Sequence, residues 1–105
     1  MRTAEVLMEV RYAGTVLTPP RFFFGKHSRM EHEQFDCRGA DGTRFRVIDN
    51  VTIAPRVPVA PGDHVVVQGE LVPDRGQPPI VHFTHHDPWG THVGGYVELN
   101  GRRYA

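Results

Sequence analysis

The sequence has one cysteine, Cys37, in 105 residues. That excludes an internal disulfide and any cysteine-based zinc site. It has no excess of charge, since 12 Lys and Arg balance 12 Asp and Glu. A neutral chain lacks the positive field that drives nonspecific nucleic-acid binding, although a local basic patch remains open. It has a single lysine, Lys26, so arginine supplies nearly all of the positive charge. It has no apolar run near the ~20 residues that span a bilayer, and no membrane partner is expected. No basic region followed by an apolar stretch opens the chain, so a signal peptide is not expected and a cytoplasmic location follows. No Gly-x-Ser-x-Gly elbow, phosphate-binding glycine loop or dinucleotide fingerprint occurs. Internal repeats and helical periodicity are missing as well.

What is present is short alternating runs separated by Gly and Pro. The length fits one domain over residues 1–105 with a thin core. In residues 6–17, Val6, Met8, Val10, Tyr12, Gly14 and Val16 share one face if the segment is extended. Gly14 then marks a bend of the kind that barrel closure requires. Residues 18–28 read as a loop, because Pro19 and Pro20 cannot pair in a central strand. Residues 29–38 and 43–49 form a predicted hairpin across Gly39-Ala40-Asp41-Gly42. Phe35 and Cys37 would face inward, opposite Phe45 and Val47. Residues 50–61 interrupt the pattern, with room for at most one helical turn before Pro55. Pro61-Gly62-Asp63 turns into a fourth strand with Val65, Val67 and Leu71 on one face. Residues 73–79 are a loop, and residues 80–86 a fifth strand. Asn100-Gly101 is the preferred pair for a two-residue hairpin turn, and it sets Val97 opposite Tyr104 and Glu98 opposite Arg103. The expected fold is all-β: a small five-stranded OB-like barrel with an extra C-terminal β-hairpin. A small open sandwich or SH3-like barrel is the alternative. In an OB barrel, strands 2 and 3 and the loops joining strands 1–2 and 4–5 bind ligands. Here those loops are residues 18–28 and 73–79.

Four of the seven histidines lie within residues 82–92, together with Asp87. Imidazole is a common ligand for zinc and other transition metals, and a carboxylate can complete such a site. On a regular strand His82 and His86 would sit ~13 Å apart and could not share one ion. Pro88 and Gly90 turn the chain and would return His92 beside the others. The expected metal ligands are therefore His85, His86, Asp87 and His92, with His32 as a distant contributor and zinc or another divalent transition metal as the cofactor. Two other readings stay open. Asp-Pro-x-Gly is a good turn sequence in its own right. A histidine pair oriented by Asp87 could also do acid–base chemistry without metal, or with metal act as a phosphodiester hydrolase. Arg56 would then stabilise phosphoryl charge.

Phe22, Phe23 and Phe24 lie between Arg21 and Lys26. Consecutive aromatics among basic residues can stack the bases of a single-stranded nucleic acid. They can equally cap a barrel. Trp89 is read as a lid over the histidines or as a plug at the barrel end. Glu70, after a strand glycine, faces either the histidines or solvent.

The chain resembles a bacterial family of short domains of unknown function. The resemblance spans roughly residues 14–104 and rests on His32-Glu33-Gln34-Phe35, Asn50, Ala54-Pro55-Arg56, Gly62-Asp63, Gly69-Glu70, Thr84-His85-His86-Asp87-Pro88, Gly90, His92, Gly95-Tyr96, Gly101 and Tyr104. The His-His-Asp-Pro-x-Gly-x-His stretch is its most specific part. Where the family carries an aromatic-rich stretch after Gly-Glu, this chain has Leu71-Val72-Pro73. The resemblance implies an OB-like barrel and no particular activity. It singles out His32, Asn50, Arg56, Glu70, His85, His86, Asp87 and His92 as site residues. Phe23, Asn50, Arg56, Glu70 and Trp89 are the expected contacts to a small-molecule or nucleic-acid ligand.

Overall fold

The structure, a computed structural model, describes residues 8–105; Val6 of the first predicted face lies outside them. The chain forms eight strands: β1 Met8–Val16, β2 Arg21–Phe24, β3 Glu31–Arg38, β4 Arg44–Asn50, β5 His64–Val72, β6 Ile80–His82, β7 Tyr96–Leu99 and β8 Arg102–Tyr104. β1 pairs antiparallel with β3 and β5, β3 with β4, and β5 with β6, while β4 and β6 run parallel. These pairings close a ring of five strands, the arrangement expected of an OB-like barrel. Closure works because two strands each hold two neighbours on one edge. One edge of β3 meets β1 near Cys37 and β2 near His32, and one edge of β5 meets β7 near Val65 and β6 near Leu71.

Alternation builds the core. Phe35 and Cys37 on β3 stand opposite Val47 and Phe45 on β4, and all four are buried with Val10, Val16, Val65, Val67, Val81, Val97 and Leu99. Burial pushes the Cys37 thiol up to about 12, so it is an unreactive packing group. Gly14 is required by packing rather than by a bulge: a Cβ there would lie 2.9 Å from the Phe45 ring. Met8, on the predicted inner face, is exposed instead. The C-terminal hairpin has the predicted register, with Asn100 and Gly101 both at positive φ.

Two boundaries differ from expectation. Residues 18–28 are not all loop, because Arg21–Phe24 pair with Glu31–Gln34. The prolines are accommodated because β2 is a short edge strand that begins after Pro20. The fifth ring strand ends at His82, four residues earlier than expected. Phe83 follows in the left-handed region, at φ 56°, and turns the chain out of the ladder. After Asn50, one turn closed by the Ala54 N–H on the Asn50 carbonyl precedes Pro55, as expected.

Candidate functional site

Imidazoles gather at the barrel end where β6 stops. The ring centres of His85 and His92 are 5.2 Å apart and nearly perpendicular. Phe83 fills the space between the histidines, 5.1 Å from His92 and 4.5 Å from His82. His82 lies 6.1 Å from His32, which stacks on Phe23 at 5.3 Å. The loop that carries His85 and His92 is fastened to β5. The Gly95 N–H donates to the His85 carbonyl, and Gln68 Nε2 donates to the Gly94 carbonyl. A Cβ on Gly95 would lie 2.3 Å from the Phe83 carbonyl and 2.5 Å from the Gln68 carbonyl, so only glycine permits this approach.

Hydrogen bonds distinguish the imidazoles. His85 Nδ1 is 2.6 Å from the His86 carbonyl and His92 Nδ1 is 2.7 Å from the Val93 carbonyl. A carbonyl only accepts, so each Nδ1 carries a proton and donates it there, which leaves Nε2 as the ring nitrogen free to face a ligand. His92 Nε2 is buried without a hydrogen-bond partner. His82 is arranged the other way: its Nδ1 accepts the Phe83 N–H at 2.9 Å, which puts the proton on Nε2. Burial, followed by the neighbouring His32, His85 and His92, pushes His82 down to about 4. Burial likewise lowers His32 and His85, so these rings are neutral near pH 7.

Asp87 serves the turn first. Its carboxylate accepts the backbone N–H groups of Trp89 and His92, as the Asp-Pro-x-Gly turn requires. Desolvation raises its pKa, but those N–H bonds and His92 more than offset it and hold the carboxyl below the usual range. Its Oδ1 is also 3.9 Å from His92 Nε2, with both side chains enclosed at 4% and 6% exposure.

The other expected site residues are dispersed. His86 is exposed and contributes its carbonyl to His85. His32 joins Phe23 and His82 rather than the turn. Asn50 caps the turn after β4, accepting the Thr52 and Ile53 N–H groups. Arg56 pairs with Glu31 and lies over the Phe22 ring. Glu70 stands in register with His82 on one side and Glu9 on the other. Trp89 is 61% exposed. Among the described residues, no three His, Cys, Asp or Glu side chains form a ready metal-ligand group.

Four residues that were not expected in the site line this end. Glu33 and Asp49 are cross-strand partners, fully buried, on the inner face with Phe35 and Val47. Glu33 Oε1 accepts the Val57 N–H at 2.8 Å, and Asp49 Oδ1 accepts the Thr84 hydroxyl at 2.9 Å. Burial raises both carboxyls, Asp49 to about 7, with the Glu33 charge adding to the shift. Strand parity carried this signal, since Glu33 and Asp49 extend the inward-facing series of the hairpin. Thr84 stood at the head of the histidine stretch without a role, and the central Phe83 had no signal, because left-handed backbone is rare for phenylalanine.

No helix among the described residues is long and apolar enough to cross a membrane. No curated protein and no solved structure matches the chain. A family model does, over residues 8–105, which takes in every strand and the whole histidine end. The chain belongs to the family described as protein of unknown function DUF3465.

Proposed function

We propose that this small β domain binds a divalent transition metal, zinc by its ligand chemistry, through His85 and His92. The observation that carries the reading is the pair of Nε2 atoms, each left free by an Nδ1–H bond to a backbone carbonyl. Metal-binding histidines are oriented in this way. With Zn–N bonds of ~2.0–2.1 Å, two imidazoles on one tetrahedral ion have ring centres about 5 Å apart. The 5.2 Å between His85 and His92 is compatible with that. Burial favours the neutral form of His85, which then has no proton to lose to the metal.

Asp87 is the nearest carboxylate and supplies the third donor after a small shift of its 3.9 Å approach to His92. His82 does not contribute, because its Nδ1 is occupied. Three protein donors leave a position for water, which is where a hydrolytic activity would arise.

The test is elemental analysis of tag-free protein by inductively coupled plasma mass spectrometry, with His85→Ala/His92→Ala alongside. About one metal per chain, lost in the double variant, is the expected result. No stoichiometric metal in the native chain, together with no rise in melting temperature on adding zinc, would overturn the reading.

A further inference from the structure

The phenylalanine strand lies outside the proposed metal site. β2 pairs with β3 by a single edge, and its residues alternate between two environments. Phe23 turns toward His32 and stacks on it. Phe22 and Phe24 point the other way and remain 40% and 63% exposed. Two strand positions of ~3.4 Å each place these rings about 7 Å apart on one face. That is about the length of two nucleotide steps, at ~3.4 Å per step.

The surroundings are cationic. The Arg56 guanidinium lies over the Phe22 ring at 4.4 Å, with Glu31 holding it from the side. Lys26 and Arg29 are exposed in the turn that follows the strand, while Arg21 at its start lies over Phe23 on the other face. Residues 10–30 contain no carboxylate, although the chain as a whole is neutral. Glu31, in register with Phe24, is the carboxylate beside this patch, and it is paired with Arg56. A hydrophobic partner would have no use for Arg56, Lys26 and Arg29 around two rings. An acidic peptide would have little use for two exposed rings spaced along a strand.

We infer that Phe22, Phe24 and Arg56 form a stacking platform for single-stranded nucleic acid, with Lys26 and Arg29 on its phosphates. Aromatic rings accept any base, so the binding is sequence-tolerant, and the phosphate contacts make it weaken with salt.

The experiment is fluorescence anisotropy with a labelled oligodeoxythymidine of about ten nucleotides, within the ~4–16 that one OB fold covers. A chelator is present throughout, so the result does not depend on the proposed metal. Binding that weakens log-linearly with salt is expected, with Phe24→Ala losing affinity by roughly tenfold and Phe22→Ala/Phe24→Ala by more. Both variants keep every charge, and their exposed side chains leave the melting temperature close to native. No binding at low salt would overturn the inference. Equal binding by the native chain and the double variant would overturn it too, because charge alone would then account for the contact.

Discussion

β3 and β4 carry two kinds of interior on one hairpin. Near the turn, Cys37 faces Phe45, then Phe35 faces Val47, and all are buried hydrophobes. One step further along the same face, Glu33 faces Asp49, equally buried. The ladder, the register and the burial are the same, and only the chemistry changes. The apolar half stabilises the barrel. The carboxyl half costs stability, because burial disfavours charge and Glu33 and Asp49 raise each other's cost. Its bonds also hold the segments that matter at that end: Glu33 fixes Val57, and Asp49 fixes Thr84, which immediately precedes His85. Two buried carboxyls beneath the histidine loop thus cost stability at the end where the metal site is proposed.

Replacing Phe35 breaks the apolar half. Phe35→Ala should destabilise the domain by about 3–5 kcal/mol, measured by urea denaturation. A loss below ~1 kcal/mol would mean that the two halves share the load differently.

Neutralising the carboxyl half sharpens the contrast. Asp49 is raised from the ordinary carboxyl range to about 7 in the folded chain. The folded state therefore keeps a proton that the unfolded state releases, and the native domain should lose stability as pH rises from about 4 to about 7. Above that window the stability levels off. Asp49→Asn keeps an acceptor for the Thr84 hydroxyl and removes the ionisation. It should melt higher than the native chain at pH 8 and about level with it near pH 4. An equal shift at both pH values would place the cost elsewhere than in the charge.

The smallest effect belongs to a pair outside both halves. Arg103 Nε lies 3.3 Å from Glu98 Oε1 across the C-terminal hairpin, with Arg103 largely exposed. Glu98→Ala should cost less than ~1 kcal/mol by thermal melting. A larger loss would show that this hairpin bears on the barrel more than its position outside the ring implies.

Much of this fold was legible locally. Alternation alone placed Phe35, Cys37, Phe45 and Val47 inward, because a strand leaves only two faces for its side chains. Asn100-Gly101 set the register of the last hairpin, because a two-residue turn permits one pairing. Glycine and proline marked most of the breaks. Within the histidine segment, the Asp87 turn was readable for the same local reason. Tertiary structure decided the rest. It ended β6 at His82 by way of the left-handed Phe83, it set His85 beside His92, and it held His32 with Phe23 and His82. It also paired Glu33 with Asp49 beneath them. These arrangements depend on which strands become neighbours when the ring closes. Local geometry fixes which face a side chain takes, but only closure determines what that face meets.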